Sequence, residues 1–364
     1  MSQSTACAPE VNTNPVVPPP TGGLSDGHSP CNMSAAELHA LWRENRKGLV
    51  ADQLQGRTHL AARPAHMKIE LTNFCNLACP MCPHSQMERS VGYMKPELFR
   101  RIIDQAAPHL EFAYLHHLGE SLFHGRIGEL IRYGRSRGVA MGLSTNATYL
   151  DHRKAKLLLE NGLDFLVISM DGASADTYER VRVGGDFATT FKNVRNFFEM
   201  KKQIQNNTTV VVQMIVTESN RHEIELFSQH WDGQVMIKEA RDWAGQVQLG
   251  VRHVPPPIKQ TPCRMLWTEL TVLWDGAVVP CVNVYEKQNV VGNLAEQTLD
   301  EVWNSPLMKE FRAAHLRNQV GDIPVCATCP RHEFDHENFI QVDQITQRLQ
   351  NYVRTDLTPR PGLS

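Results

Sequence analysis

Cys75, Cys79 and Cys82 lie within eight residues of one another, as a C-x3-C-x2-C loop in the segment Met67–Pro83. Their thiolates can grip one soft metal centre. A closed zinc site takes four ligands, commonly from paired C-x2-C knuckles, and an iron–sulfur cluster also takes four cysteines as a rule. Three ligands on a cubane leave one iron open, and an open iron can bind a cofactor or a substrate. A structural zinc loop and simple burial of the thiols are the competing readings of the loop alone. A second group, Cys263, Cys281, Cys326 and Cys329, has the count that a closed four-ligand cluster or a zinc ribbon requires. Cys7 and Cys31 fall in a Pro/Gly/Ser-rich stretch and take no role.

Nine cysteines in 364 residues, with no basic n-region or apolar h-region at Met1–Pro9, point to metal binding in a reducing, cytoplasmic compartment rather than to disulfides. The net charge is −2 and no long basic run occurs, so nucleic acid is not an expected partner. No apolar run is long enough to span a bilayer, so no membrane association is expected.

The elements that must position these cysteines follow from the pattern. Residues 1–34 are Pro- and Gly-rich and read as a disordered tail, and residues 35–66 as a lead-in helix. Residues 67–250 alternate. Short apolar runs at Met67–Leu71, Phe112–Leu115, Val139–Ser144, Phe165–Met170, Val210–Val216 and Val235–Lys238 suit parallel strands buried on both faces. Helical spacing fills Lys95–Gln105, Gly125–Arg137, Asp151–Asn161 and Thr189–Gln203, with Asp151 as an N-cap and Gly162 as a C′ stop. Six such units imply an α/β fold, a partial (β/α)6 TIM-type barrel with right-handed crossovers.

Past Gly245 the pattern changes. Val254–Ile258 is a stiff connector. A hairpin, Trp267–Trp274 and Ala277–Val282, turns at Asp275-Gly276. Helices are expected at Thr298–Trp303 and Leu307–Arg317. Residues 251–335 thus form a small domain that a metal site would staple, with a C-terminal helix and tail over 336–364.

The cysteine loop after the first strand resembles the radical S-adenosylmethionine (SAM) superfamily. That resemblance implies a [4Fe–4S] cluster on Cys75, Cys79 and Cys82 whose open iron holds SAM and reduces it to methionine and a 5′-deoxyadenosyl radical. Leu118–Ser121 is similar to the family's GGEP motif, with Leu118 in place of its first glycine. There Gly119 and Glu120 are implied to meet the SAM ammonium. Further along, the resemblance implies Ser169 and Arg182 at the SAM carboxylate, with Ser144 ending the third strand and Asn146 and Asp171 near the ribose. Met81 through its backbone, and Met214 or Ile215, would meet adenine. The C-terminal four cysteines resemble the twitch domain, the short form of the SPASM domain, which implies one auxiliary [4Fe–4S] cluster.

A closed second cluster can relay electrons or staple the fold. Lys238, Glu239 and Arg241, with Asp242, lie on or after the last strand, where a base would take the proton of an oxidised substrate. His84, His116 and His117 flank the motifs and are read as packing. The resemblance to aminocyclitol dehydrogenases and sugar-nucleoside decarboxylases of antibiotic pathways implies hydrogen abstraction from a small polar substrate. The first expectation is oxidation of an alcohol, with the auxiliary cluster as electron acceptor and a flavodoxin- or ferredoxin-type reductant. Decarboxylation or epimerisation of a sugar acid nucleoside, and maturation of a ribosomal peptide, are the alternatives. Epimerisation ranks lowest because no thiol is left to donate a hydrogen atom.

Overall fold

The computed structural model describes residues 34–232, 234–249 and 262–329. The expected tail (with Cys7 and Cys31), the Val254–Ile258 connector and the C-terminal helix lie outside the described residues.

Six strands alternate with helices: β1 (His66–Ile69), β2 (Phe112–Tyr114), β3 (Ala140–Thr145), β4 (Phe165–Ser169), β5 (Thr209–Val216) and β6 (Val235–Glu239). They pair in sequence order, all parallel, which gives the expected α/β partial barrel. Three further strands, β7 (Glu269–Val272), β8 (Ala277–Val279) and β9 (Gly292–Asn293), form the antiparallel part. The hairpin joins the barrel sheet, because β7 pairs parallel with β1, His66 opposite Glu269 through Ile69 opposite Val272. One nine-stranded sheet results, with β1 between β2 and β7. The expected strand from Trp267 also starts late, because Met265–Thr268 first makes one helical turn.

The helices are α1 (Ala35–Leu54), α2 (Pro96–Ala106), α3 (Ile127–Ser136), α4 (His152–Glu160), α5 (Ala175–Val181), α6 (Phe187–Gln203), α7 (Ile224–His230), α8 (Met265–Thr268), α9 (Leu299–Trp303), α10 (Pro306–Leu316) and α11 (Pro324–Ala327). Asp151 caps α4 by accepting from the Lys154 N–H at 2.7 Å, and Gly162 follows it at φ +79°, as the sequence predicted. Among the described residues no helix is long and apolar enough to cross a membrane.

Strand alternation sorts the sheet into two faces. Met67, Ile69, Ala113, Leu143, Leu166, Ile168, Val212 and Met214 are fully buried beneath the helices. The opposite face sets polar residues among Phe165, Val167, Val211 and Ile215. Register carries Lys68 across to Tyr114 and Gly142, Ser144 to Val167 and Val211, Ser169 to Gln213, and Ile215 to Lys238.

Candidate functional site

The first cysteine loop hangs from the end of β1. Cys79 is buried and Cys75 and Cys82 are half-buried, all outside disulfides. They pack with Leu77, Met81, Val181 and Ile215. Burial raises the Cys75 thiol to about 11 and the Cys82 thiol to about 12. A ligand set must be thiolate, so metal, not solvent, has to drive deprotonation here. Two donors already point at the sulfurs: Arg182 Nη1 at 3.6 Å from Cys79 Sγ, and Asn146 Nδ2 at 3.9 Å from Cys75 Sγ.

The loop's stem is built tightly. Gly119 sits at φ +79°, and a Cβ there would lie 2.5 Å from the Thr72 carbonyl oxygen. The close approach expected of this glycine is therefore made to the stem of the cysteine loop. Glu120 follows, its N–H donating to the Phe74 carbonyl at 2.7 Å. Its buried carboxylate accepts from the Leu122 N–H at 3.0 Å, the Thr145 hydroxyl at 2.8 Å and the Asn146 N–H at 2.7 Å. Burial raises its pKa, and these donors oppose the rise. A carboxylate has roughly four acceptor positions, so capacity for one more donor remains. Asn146 in turn donates to Asn76 at 3.0 Å, which ties the end of β3 to the cysteine loop.

Several expected residues have other tasks. Asp171, at φ +54°, is fully buried. It accepts from the Ile215 N–H at 2.5 Å and pairs with Arg182 at 2.5 Å, so it braces β5 and Arg182. Burial raises its pKa against the pull of Arg182. Met214 is fully buried on the helix side; Ile215, one residue on, is the one that meets the cysteine loop. Glu239 is exposed and ion-paired with Arg221 at 2.6 Å. Lys238 shares the polar strand face through its register with Ile215, and Arg241 is half-buried beyond β6. Ser144 bonds to the Tyr114 hydroxyl, and Ser169 Oγ accepts from Gln213 at 3.3 Å. The Met81 carbonyl accepts from the Trp243 indole at 3.2 Å.

The second cysteine group gathers around one cavity. Cys263, Cys281, Cys326 and Cys329 line it with Leu266, Phe311 and Val325 among others. Burial raises the Cys326 thiol, and Cys281, Cys263 and Cys329 add to the rise. Asn283 Nδ2 donates to Cys329 Sγ at 3.2 Å. Among the described residues no three His, Cys, Asp or Glu side chains close on a point tightly enough for one bare ion. A cubane is a body and holds its ligands apart. Both cysteine sets, thiol-rich, partly apolar and furnished with N–H donors to sulfur, suit that demand.

Sequence reasoning missed the ties between the two groups. Glu70 and Arg89 form a buried ion pair, Arg89 Nε donates to the Tyr285 carbonyl at 2.6 Å, and Trp243 packs edge-on to Tyr285 with ring centres 6.3 Å apart. The only local signal was an aromatic residue in the segment after the last strand.

Comparison with known proteins bears on the whole chain. Residues 69–228 match the Radical SAM superfamily profile, and residues 263–330 match SPASM, an iron–sulfur cluster-binding domain. The tungsten-containing aldehyde ferredoxin oxidoreductase cofactor-modifying protein of Pyrococcus furiosus is 24% identical over 312 residues, 72% of this chain and 86% of that one. The S-adenosyl-L-methionine-dependent 2-deoxy-scyllo-inosamine dehydrogenase of Niallia circulans is 22% identical over 275 residues, 72% and 91% of the two chains. In fold the chain is similar to Streptococcus suis SuiB bound to precursor peptide SuiA, with a TM-score of 0.59 and 16% identity over 74% of this chain and 71% of that one. The first domain implies SAM and a [4Fe–4S] cluster, and the second implies auxiliary iron–sulfur chemistry. With both profiles matched in series, the chain belongs to the radical SAM superfamily and is a radical SAM enzyme with a C-terminal SPASM domain.

Proposed function

We propose that the enzyme oxidises an alcohol of a small polar substrate, a sugar, aminocyclitol or nucleoside. When bound, the first cluster and SAM would supply hydrogen-atom abstraction from the substrate carbon, and the auxiliary cluster would supply a one-electron acceptor. Cys75, Cys79 and Cys82 would hold the first cluster, and Cys263, Cys281, Cys326 and Cys329 the second. Glu120, with acceptor capacity to spare, would take the SAM ammonium. Ser169 would meet the carboxylate, and Asn146 the ribose. Arg182 would keep charge balance beside Cys79. Of the groups on or after β6, Lys238 lies on the same strand face as Ile215, and its Nζ would accept the hydroxyl proton of the oxidised carbon only in the neutral amine form.

The observation that carries this reading is that face itself. Lys68, Tyr114, Ser144, Ser169, Gln213 and Lys238 share it by register, between fully apolar packing beneath and the cysteine loop at its end. The hydroxyl, amide and amine groups on it, set among Val167, Val211 and Ile215, suit a polyol more than an apolar side chain. The relative that oxidises an aminocyclitol by its printed name covers most of both chains, which supports the same class.

The test is product analysis on anaerobically reconstituted protein, given aminocyclitols and sugar acid nucleosides deuterated at the reacting carbon. The expected outcome is deuterium in 5′-deoxyadenosine together with a ketone, and loss of the ketone but not of SAM cleavage in Cys281→Ala/Cys329→Ala. Carbon dioxide release would favour decarboxylation. Turnover of a precursor peptide, with no turnover of either small class, would move the substrate to peptides.

A further inference from the structure

A single turn after β6 touches both cysteine loops. Trp243, Ala244 and Gly245 have φ of +53°, +61° and +77°, three left-handed residues in succession. Outside glycine, left-handed backbone is costly and comes as single residues, so surrounding contacts must hold this run in place. Those contacts are on both sides. The Trp243 indole N–H donates to the carbonyl of Met81, next to Cys82, at 3.2 Å. The hydroxyl of Thr328, next to Cys329, donates to the Ala244 carbonyl at 2.6 Å. Gln246 Nε2 donates to the Asn283 carbonyl at 2.9 Å, and the same Asn283 donates to Cys329 Sγ.

We propose that Trp243 and Thr328 are positioning residues. Through this left-handed turn they lock the SAM-side cysteine loop and the SPASM-side cysteine loop to one another, so that the two metal sites form one rigid unit. The strain gives the reason for coupling. A run of left-handed residues held from two sides relaxes when either hold is released, and the released turn then no longer supports the other loop. The inference rests on the assignment of the seven cysteines as ligands and on no particular substrate.

The experiment compares wild type, Trp243→Phe, Thr328→Val, their double variant and Thr328→Ser, by hydrogen exchange on metal-free protein and by iron content after anaerobic reconstitution. Trp243→Phe releases one hydrogen bond, and Thr328→Val releases the bond to Ala244 and a longer one to the Pro324 carbonyl at 3.4 Å, so exchange should rise about two- to tenfold in peptides spanning Cys79–Cys82 and Cys326–Cys329 alike. The double variant should be less than additive, and Thr328→Ser should restore wild-type protection in both loops. A rise confined to the loop that lost its own bond, or strict additivity, overturns the proposal. Iron content separates its failure from that of the ligand assignment: wild type that takes up far less than about eight irons undoes the assignment, whereas full iron with uncoupled exchange undoes only the coupling.

Discussion

Glu120 accepts three hydrogen bonds with one carboxylate, which decides how it should be substituted. Glu120→Ala would release Thr145 and Asn146 as well as any ligand. Glu120→Gln keeps the shape and removes the charge. Losing a charge-assisted bond to the SAM ammonium costs about 1.5–3 kcal/mol, so SAM affinity in Glu120→Gln should fall about tenfold to a hundredfold by equilibrium dialysis, and because the new amide NH2 must face the Leu122 or the Asn146 N–H, the fold should lose about 1–3 kcal/mol as well. The histidines make a second residue-scale prediction. Burial, with Arg89 and Lys68 nearby, depresses His117 to about 3, against about 6.5 in an unfolded chain. A depressed pKa contributes stability above the unfolded value, and that contribution is lost as pH falls and the unfolded state alone takes a proton. Relative to His117→Gln, wild type should therefore lose about 2–3 kcal/mol between pH ~6.5 and ~4, read from urea unfolding of metal-free protein. A difference independent of pH would mean that the ring takes up its proton in the fold as readily as in the unfolded chain.

The buried Glu70–Arg89 pair joins three elements: the end of β1, the segment after the cysteine loop, and the SPASM segment at Tyr285. Glu70 also accepts from the Trp274 N–H at 3.2 Å. Arg89→Met leaves a carboxylate buried without its partner and should cost about 3–5 kcal/mol, whereas Glu70→Leu/Arg89→Met should recover most of that; denaturant midpoints of the single and double variants decide it. The chain announces only part of this. The spacing of Cys75, Cys79 and Cys82 is local and the second group shows by its count of four, so both cysteine groups and the barrel units are legible in the sequence, as is the Asp151 cap. Val210–Val216 is almost wholly apolar, so its alternation is invisible and the choice between Met214 and Ile215 has no sequence signal. The seven-residue helices α5 and α7 are too short for periodicity to register. The pairings of Asp171 with Arg182 and of Glu70 with Arg89 are set by the assembled sheet, and no spacing encodes them.

At the scale of the molecule, the SPASM segment supplies β1 with its second neighbour. A chain ending at residue 249 would leave that flank of β1 unpaired and strip cover from Trp267's partners, Arg57 among them. Such a truncation should aggregate or unfold without a cooperative transition, by light scattering and calorimetry; a monomer melting sharply near the full-length temperature would show that the barrel stands alone. The same pairing also has a cost in time. Ile69 and its partner Val272 are separated by roughly 200 residues, and at ~5–20 residues per second a ribosome needs roughly 10–40 s to reach the second after making the first. Throughout that interval the strand that carries the first cysteine loop has a bare edge, open to association with other nascent chains. Translation speed and chaperone supply therefore govern the yield of folded enzyme before any iron is delivered.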